Sequence, residues 1–158
     1  LSSWDLVDIG GHCDWHCRTD AYAQMVRKAA NAWNDYIGDE VFRPDSVSVV
    51  QDVSIKELES DLENKGYYAA TYSNDIFENG LQAGTIEIYT DAMNELESDL
   101  QRQKVIMHEL GHALGLDENR ESTSSNRLGN IMQQGALPYS SFISLDDRAS
   151  VEQAYEDF

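Results

Sequence analysis

Apolar residues recur at intervals of three and four between residues 22 and 37, which is the spacing of one face of an α-helix. The pattern predicts a long amphipathic helix that begins at an N-cap formed by Thr19 or Asp20 and ends at Gly38. Its apolar face is expected to lie in the core and comprises Tyr22, Met25, Val26, Ala29, Ala30, Trp33 and Ile37.

Two further helices with recognisable start or end residues are predicted. The first runs from near Glu97 to Leu114 and stops at Gly115, because glycine is the residue best suited to a left-handed helix cap. The second is C-terminal and begins at the N-cap Ser144, with Asp147 three residues later. Its apolar positions are Ala149, Val151, Ala154 and Tyr155.

Alternating or β-branched residues predict several short strands between these helices. The strands cover residues 3–9, 47–50, 67–72 and 85–89. The intervening polar segments are interpreted as a loop at 12–17, a short acidic helix at 55–62 and a surface loop at 73–84. This order predicts one mixed α/β (α+β) domain that spans residues 1–158.

Composition narrows the set of partners. The 158 residues include 11 Lys and Arg against 29 Asp and Glu, which gives a net charge of −18. Nucleic acid and anionic membrane surfaces would repel such a protein. The apolar runs are too short for a transmembrane helix, and no stretch has the pattern of a signal peptide.

The two cysteines lie in the segment 12–17, close to two of the four histidines. A local Cys13–Cys17 disulfide is the preferred interpretation. Free thiols stay open as a second interpretation, and a further metal site formed with His12 and His16 as a third. Four ligands within six residues would strain a tetrahedral site, because structural zinc sites usually separate two ligand pairs by a longer loop.

The strongest motif is His108-Glu109-Leu110-Gly111-His112. Residues four apart on a helix lie about 40° apart around its axis, so both imidazoles can bind one metal ion. Glu109 lies next to the first histidine, where it can take a proton from a water that zinc has made acidic. Two surface histidines and a glutamate on a solvated helix are the alternative.

The wider sequence HELGHALGLDE, from His108 to Glu118, resembles the H-E-x-x-H-x-x-G-x-x-H consensus of the metzincin metallopeptidases. Met132, within Asn130-Ile131-Met132, is similar to the methionine of the metzincin Met-turn. The order of elements resembles the matrixin family within that clan. The resemblance implies a twisted, mostly parallel sheet with a long N-terminal helix, an active-site helix and a C-terminal helix.

The chain departs from the family at the third metal ligand. Glu118 stands where the family has histidine, and it is the first choice for the ligand because it is in register. Asp117 is the second choice. A solvated Glu118 in a degenerate site also stays open, as does a ligand from a later helix such as Glu152.

The resemblance implies a monomeric, secreted zinc endopeptidase of bacterial origin that acts on protein or peptide substrates. Glu109 would be the general base, and His108, His112 and Glu118 would bind zinc. The substrate would pair antiparallel to an edge strand, for which Tyr68 to Tyr72 is the candidate. Pro138 and Tyr139 are similar to the matrixin segment that walls the S1′ pocket.

Two functions without catalysis stay open at this point. One is a non-catalytic binding module on a degenerate metzincin scaffold, and the second is an acidic interaction domain with an accidental motif. The matrixin structural zinc needs histidines in the middle of the chain, which this sequence lacks. Calcium could bind oxygen atoms of Asn74, Asp75 and Glu78, but a solvated loop is favoured there.

Overall fold

The computed structural model describes residues 6, 10–46, 51–59, 69–78, 82–116 and 131–132. The elements in chain order are β1 (Cys13–Cys17), α1 (Asp20–Ile37), β2 (Phe42–Pro44), β3 (Val53–Leu58), β4 (Ala70–Ile76), β5 (Gln82–Tyr89), α2 (Thr90–Glu95) and α3 (Asp99–Ala113). The predicted strands at 3–9 and 47–50 and the C-terminal helix lie outside the described residues, except for the buried Leu6.

The five strands form one mostly parallel sheet in the order β2-β1-β3-β5-β4. Three of the pairings are parallel, and only β4 runs antiparallel to its neighbour β5. The predicted mixed α/β class is therefore confirmed. Among the described helices, none is long and apolar enough to cross a membrane.

Helix α1 agrees with its sequence pattern. Five of its predicted apolar positions are buried, and Met25 and Ile37 are partly buried against the same core. Gly38 ends the helix with a φ of 82°, in the left-handed region that favours glycine. Thr19 occupies the N-cap position, but its side chain makes no capping hydrogen bond there.

The segment 12–17 is largely strand β1, so its interpretation as a loop is wrong. Cys13 and Trp15 are buried in the core, and Asp14 between them is also buried. Arg43 donates two hydrogen bonds to the Asp14 carboxylate, at 2.6 and 2.9 Å, and these bonds compensate for the loss of water around the charge. The disulfide prediction is also wrong, because no disulfide joins Cys13 and Cys17. Residues four apart in a strand are separated by about 13 Å, well beyond the reach of a disulfide.

The predicted acidic helix at 55–62 is also wrong, because residues 53–58 form β3 between β1 and β5. Val53 and Ile55, two residues apart, are fully buried. The Glu57 carboxylate accepts hydrogen bonds from Thr90 and Thr19, each at 2.7 Å, and these bonds lower the pKa of Glu57. Glu57 therefore lies on a central strand.

The predicted surface loop at 73–84 is largely a β-hairpin. Strand β4 continues to Ile76 and β5 begins at Gln82, three residues before the predicted strand. Asn74 and Asp75 are successive strand residues, so their side chains point to opposite faces of the sheet. The structure therefore does not bring these two predicted calcium ligands together.

Helices α1 and α3 pack against each other and against the sheet. At their contact, the fully buried Trp33 donates a hydrogen bond from Nε1 to the Met107 carbonyl at 2.9 Å. This bond fixes the helix that carries the HExxH motif against the long N-terminal helix.

Replacing Trp33 with phenylalanine should lower the free energy of unfolding by about 1–3 kcal/mol, through the lost hydrogen bond and the small cavity left behind. Trp15→Phe is a matched control, because Trp15 is also buried and its Nε1 has no acceptor among the described residues. Urea unfolding of both variants would measure the difference. Equal losses would contradict a stabilising role for the Trp33 hydrogen bond.

Candidate metal centre

Helix α3 carries the HExxH motif and ends in a turn that folds the chain back toward it. The Gly115 N–H donates to the His112 carbonyl at 2.9 Å, and the Leu116 N–H donates to the Gly111 carbonyl at 3.0 Å. These two bonds form a Schellman motif, which needs a left-handed residue, and Gly115 has a φ of 85°. The predicted helix end at Gly115 is confirmed, and the turn brings the Leu116 carbonyl back to His112.

Both histidines of the motif have one ring nitrogen on a backbone carbonyl. His108 Nδ1 lies 2.7 Å from the Ile131 carbonyl oxygen, and His112 Nδ1 lies 2.7 Å from the Leu116 carbonyl oxygen. A carbonyl oxygen can only accept, so each Nδ1 must carry the proton. The second nitrogen, Nε2, is then the one that presents a lone pair in the neutral ring.

The two Nε2 atoms converge on one point. They lie 3.1 Å apart, and the rings meet edge to face with centroids 4.8 Å apart. Two lone pairs at this distance repel each other unless a cation lies between them. Ligand nitrogens about 2.0–2.1 Å from a tetrahedral zinc ion would lie roughly 3.3 Å apart, so the spacing fits two imidazole ligands of one ion.

Glu109 lies between the two histidines in the sequence, and the motif assigns it to proton transfer. It keeps only 7% of its accessible surface, although a buried carboxylate is costly to desolvate. It directly follows His108 on α3. This burial distinguishes it from the exposed Glu95 at the end of α2.

Ile131 and Met132 lie against the same helix. Met132 is buried, and a Cβ added at Gly111 would collide with its Sδ. The same Cβ would lie 3.1 Å from Trp33 Cζ2, so only glycine leaves room for this packing. Met132 thus packs against the helix that carries the paired histidines. The preceding residue, Ile131, supplies the carbonyl that orients His108.

The edge strand contributes a residue that the sequence interpretation did not assign to the metal site. The Tyr72 ring stacks on the His112 ring, with centroids 6.1 Å apart and an interplanar angle of 23°. Burial, with a smaller contribution from Cys13, raises the pKa of the Tyr72 phenol, so the ring contacts His112 as a neutral group. No local pattern could reveal this contact, because it joins β4 to α3.

The remaining predicted site residues fall outside the described residues. These are the candidate third ligands Asp117, Glu118 and Glu152, and the predicted pocket residues Pro138 and Tyr139. Within the described ranges, no three His, Cys, Asp or Glu side chains are grouped closely enough to hold a metal ion. His12 and His16 instead contact the Glu40 carbonyl and the Asp45 carboxylate, so the structure does not bring together the four residues considered for a further metal site at 12–17.

The sequence matches no protein-family model and no curated protein. The assignment of a function therefore depends on the residues themselves and on the geometry around α3.

Proposed function

We propose that this chain is a zinc-dependent endopeptidase with a metzincin-type, matrixin-like catalytic domain. The observation that carries the proposal is the convergence of two Nε2 atoms whose partner nitrogens are both held by backbone carbonyls. Metal-binding histidines are usually oriented in this way, because the second hydrogen bond fixes both the tautomer and the ring. A solvated helix face would not need either bond.

The donor set suits zinc. Two neutral imidazoles and one carboxylate, with a fourth position left open, are typical of catalytic rather than structural zinc sites. Glu118 is the proposed third ligand, with Asp117 as the alternative. The mostly parallel sheet, the long N-terminal helix α1 and the motif-bearing helix α3 are three of the features that the metzincin resemblance implies.

The chemistry divides between the ion and the protein. Bound zinc would acidify a water molecule and polarise the scissile carbonyl. Glu109 would accept the proton of the attacking water and pass it to the leaving amine. His108 and His112, fixed at their Nδ1 atoms, would keep the donor nitrogens aligned during the reaction.

The edge strand supplies a place for an extended substrate. Ala70 pairs with Ile88, and the Tyr89 N–H donates to the Ala69 carbonyl at 2.9 Å. In an antiparallel ladder this bond marks Ala70–Ile88 as a non-hydrogen-bonded pair. The N–H and C=O groups of residues 70, 72, 74 and 76 therefore face away from β5, toward an edge on which no described strand pairs.

Metal content and peptide hydrolysis together test the proposal. The purified protein should hold about one zinc per chain, cut a mixed peptide pool, lose this activity with a chelator and regain it with zinc. Stoichiometric zinc without any cleavage would instead favour a non-catalytic binding module. Extracellular location and bacterial origin are part of the same proposal and rest on the resemblance alone, since the cysteines form no disulfide.

The third ligand has its own test. Glu118→Ala should weaken zinc binding by more than about 100-fold, the upper range for loss of a merely supporting residue. Asp117→Ala, its neighbour, is the matched control and should change the affinity far less. Competition with a chromophoric chelator would give both constants, and the reverse order would assign the ligand to Asp117.

A further inference from the structure

Tyr72 lies at the junction between the edge strand and the paired histidines. Its ring faces His112 at a centroid distance of 6.1 Å and an angle of 23°. This is within the range of offset aromatic stacking, which favours pairs whose centroids are about 4.5–7 Å apart. Tyr72 is therefore in direct contact with a proposed metal ligand.

A glycine on the neighbouring strand leaves space for the Tyr72 ring. Gly84 lies on β5 diagonally across from Tyr72, since Tyr72 pairs with Ile86 and Asn74 with Gly84. A Cβ at Gly84 would lie 2.9 Å from Tyr72 Cε2. The absence of a side chain at residue 84 thus leaves space for the Tyr72 ring beside His112.

The stacking contact restrains the His112 ring in a way that its contacts with Leu116 and His108 do not. The Leu116 carbonyl holds one atom of the ring, Nδ1, and His108 approaches it edge to face. A flat ring against the imidazole face limits the remaining tilt of the ring and hence the position of Nε2. A cation on Nε2 would also make the imidazole more positive and attract the π face of the neutral phenol.

The backbone of the same residue faces the open edge of the sheet. The ladder geometry directs the Tyr72 N–H and C=O groups away from β5, where an extended peptide could pair with them. A peptide paired there would hold the Tyr72 backbone in place. The ring attached to that backbone would in turn hold His112.

We propose that Tyr72 is a positioning residue that joins the substrate-binding edge of β4 to His112, so that zinc and an extended peptide strengthen each other's binding. The inference rests on the zinc site of the proposed function. Binding linkage is reciprocal, so zinc should tighten peptide binding by the same factor by which the peptide tightens zinc binding.

Two substitutions at residue 72 distinguish the effect of the aromatic ring from the effect of the hydroxyl group. Tyr72→Val removes the ring and introduces a β-branched residue suited to a strand, whereas Tyr72→Phe keeps the ring and removes only the hydroxyl. Zinc affinity of the metal-free proteins should fall about two- to tenfold in Tyr72→Val and stay near wild type in Tyr72→Phe. The ring-proton resonances of His112 in the metal-free protein should shift in Tyr72→Val only.

The linkage is measured in a Glu109→Gln background, so that the peptide is not cut. The probe is the peptide that the wild-type protein cleaves fastest, and zinc affinity is measured with and without it. The peptide should tighten zinc binding when Tyr72 is kept and when it is replaced by Tyr72→Phe, and this effect should disappear in Tyr72→Val. If Tyr72→Val does not fold, Tyr72→Leu, which keeps more apolar volume, replaces it.

The outcomes distinguish the two proposals. Equal zinc affinity in wild type and Tyr72→Val, or a peptide effect that survives removal of the ring, would overturn the role of Tyr72 and leave the zinc peptidase intact. A wild-type protein that binds no zinc would overturn the proposed function and this inference with it. An affinity loss in Tyr72→Val that Tyr72→Phe does not share supports the positioning role.

Discussion

Replacing Glu109 with glutamine should lower the rate of peptide hydrolysis by about 10²–10⁴-fold, the usual contribution of a general base. Glutamine has nearly the same shape, so it should fit the buried site, but it cannot accept the proton of the attacking water. The zinc content should stay near one ion per chain, because His108 and His112 are unchanged. Initial rates on a cleavable peptide, together with metal analysis, would measure both effects.

A matched control is available on the neighbouring helix. Glu95→Gln makes the same chemical change at an exposed position on α2, and it should leave the rate within about twofold of wild type, as is usual for surface substitutions. A Glu109→Gln protein that keeps its zinc and cleaves at more than a tenth of the wild-type rate would exclude Glu109 as the base. Loss of both zinc and folding would instead assign Glu109 a structural role.

Replacing Gly111 with alanine should destabilise the fold and weaken zinc binding together. The added methyl group would collide with Met132 Sδ and lie 3.1 Å from Trp33 Cζ2. Overpacking of this kind costs about 1–3 kcal/mol, and the better helix propensity of alanine offsets at most about 1 kcal/mol of it. Displacing Met132 would also move the adjacent Ile131 carbonyl from His108, so zinc affinity should fall about 10–100-fold.

The double variant Gly111→Ala, Met132→Ala tests the cause. If the methyl group acts by displacing Met132, truncating Met132 gives it space, and the stability losses of the two single variants should not add. Urea unfolding and chelator competition on wild type, both single variants and the double variant would complete the cycle. Strict additivity would show that the effect of Gly111→Ala does not pass through Met132.

The parts of the fold that the sequence predicts well are those with local causes. The apolar stripe of α1 and the helix end at Gly115 follow from helical spacing and from the left-handed conformation that glycine adopts. Strands β1 and β3 were missed because their polar residues find remote partners, such as the Asp14–Arg43 ion pair across 29 residues. A short central strand with such residues resembles a loop or an acidic helix when only its local sequence is considered.

The candidate metal centre likewise has parts that follow from local sequence and parts that depend on remote contacts. His108, Glu109 and His112 are predictable from their spacing because one helix presents them, and Met132 follows from the metzincin resemblance. The stacking of Tyr72 on His112, and the carbonyl that holds His108, depend on contacts between distant segments. Both are consequences of the sheet and of the packing against α3, so no local pattern specifies them.

The two carbonyl contacts of the paired histidines differ in their cost to the folding chain. The partner of His112 is four residues away and forms as soon as the helix and its cap form, whereas the partner of His108 is 23 residues away. Closing a loop of that length costs about 3 kcal/mol of chain entropy. His112 is therefore oriented by local structure, and His108 only when the chain from residue 108 to residue 131 closes. An ion that needs both rings in these orientations would therefore favour the closed form of this loop.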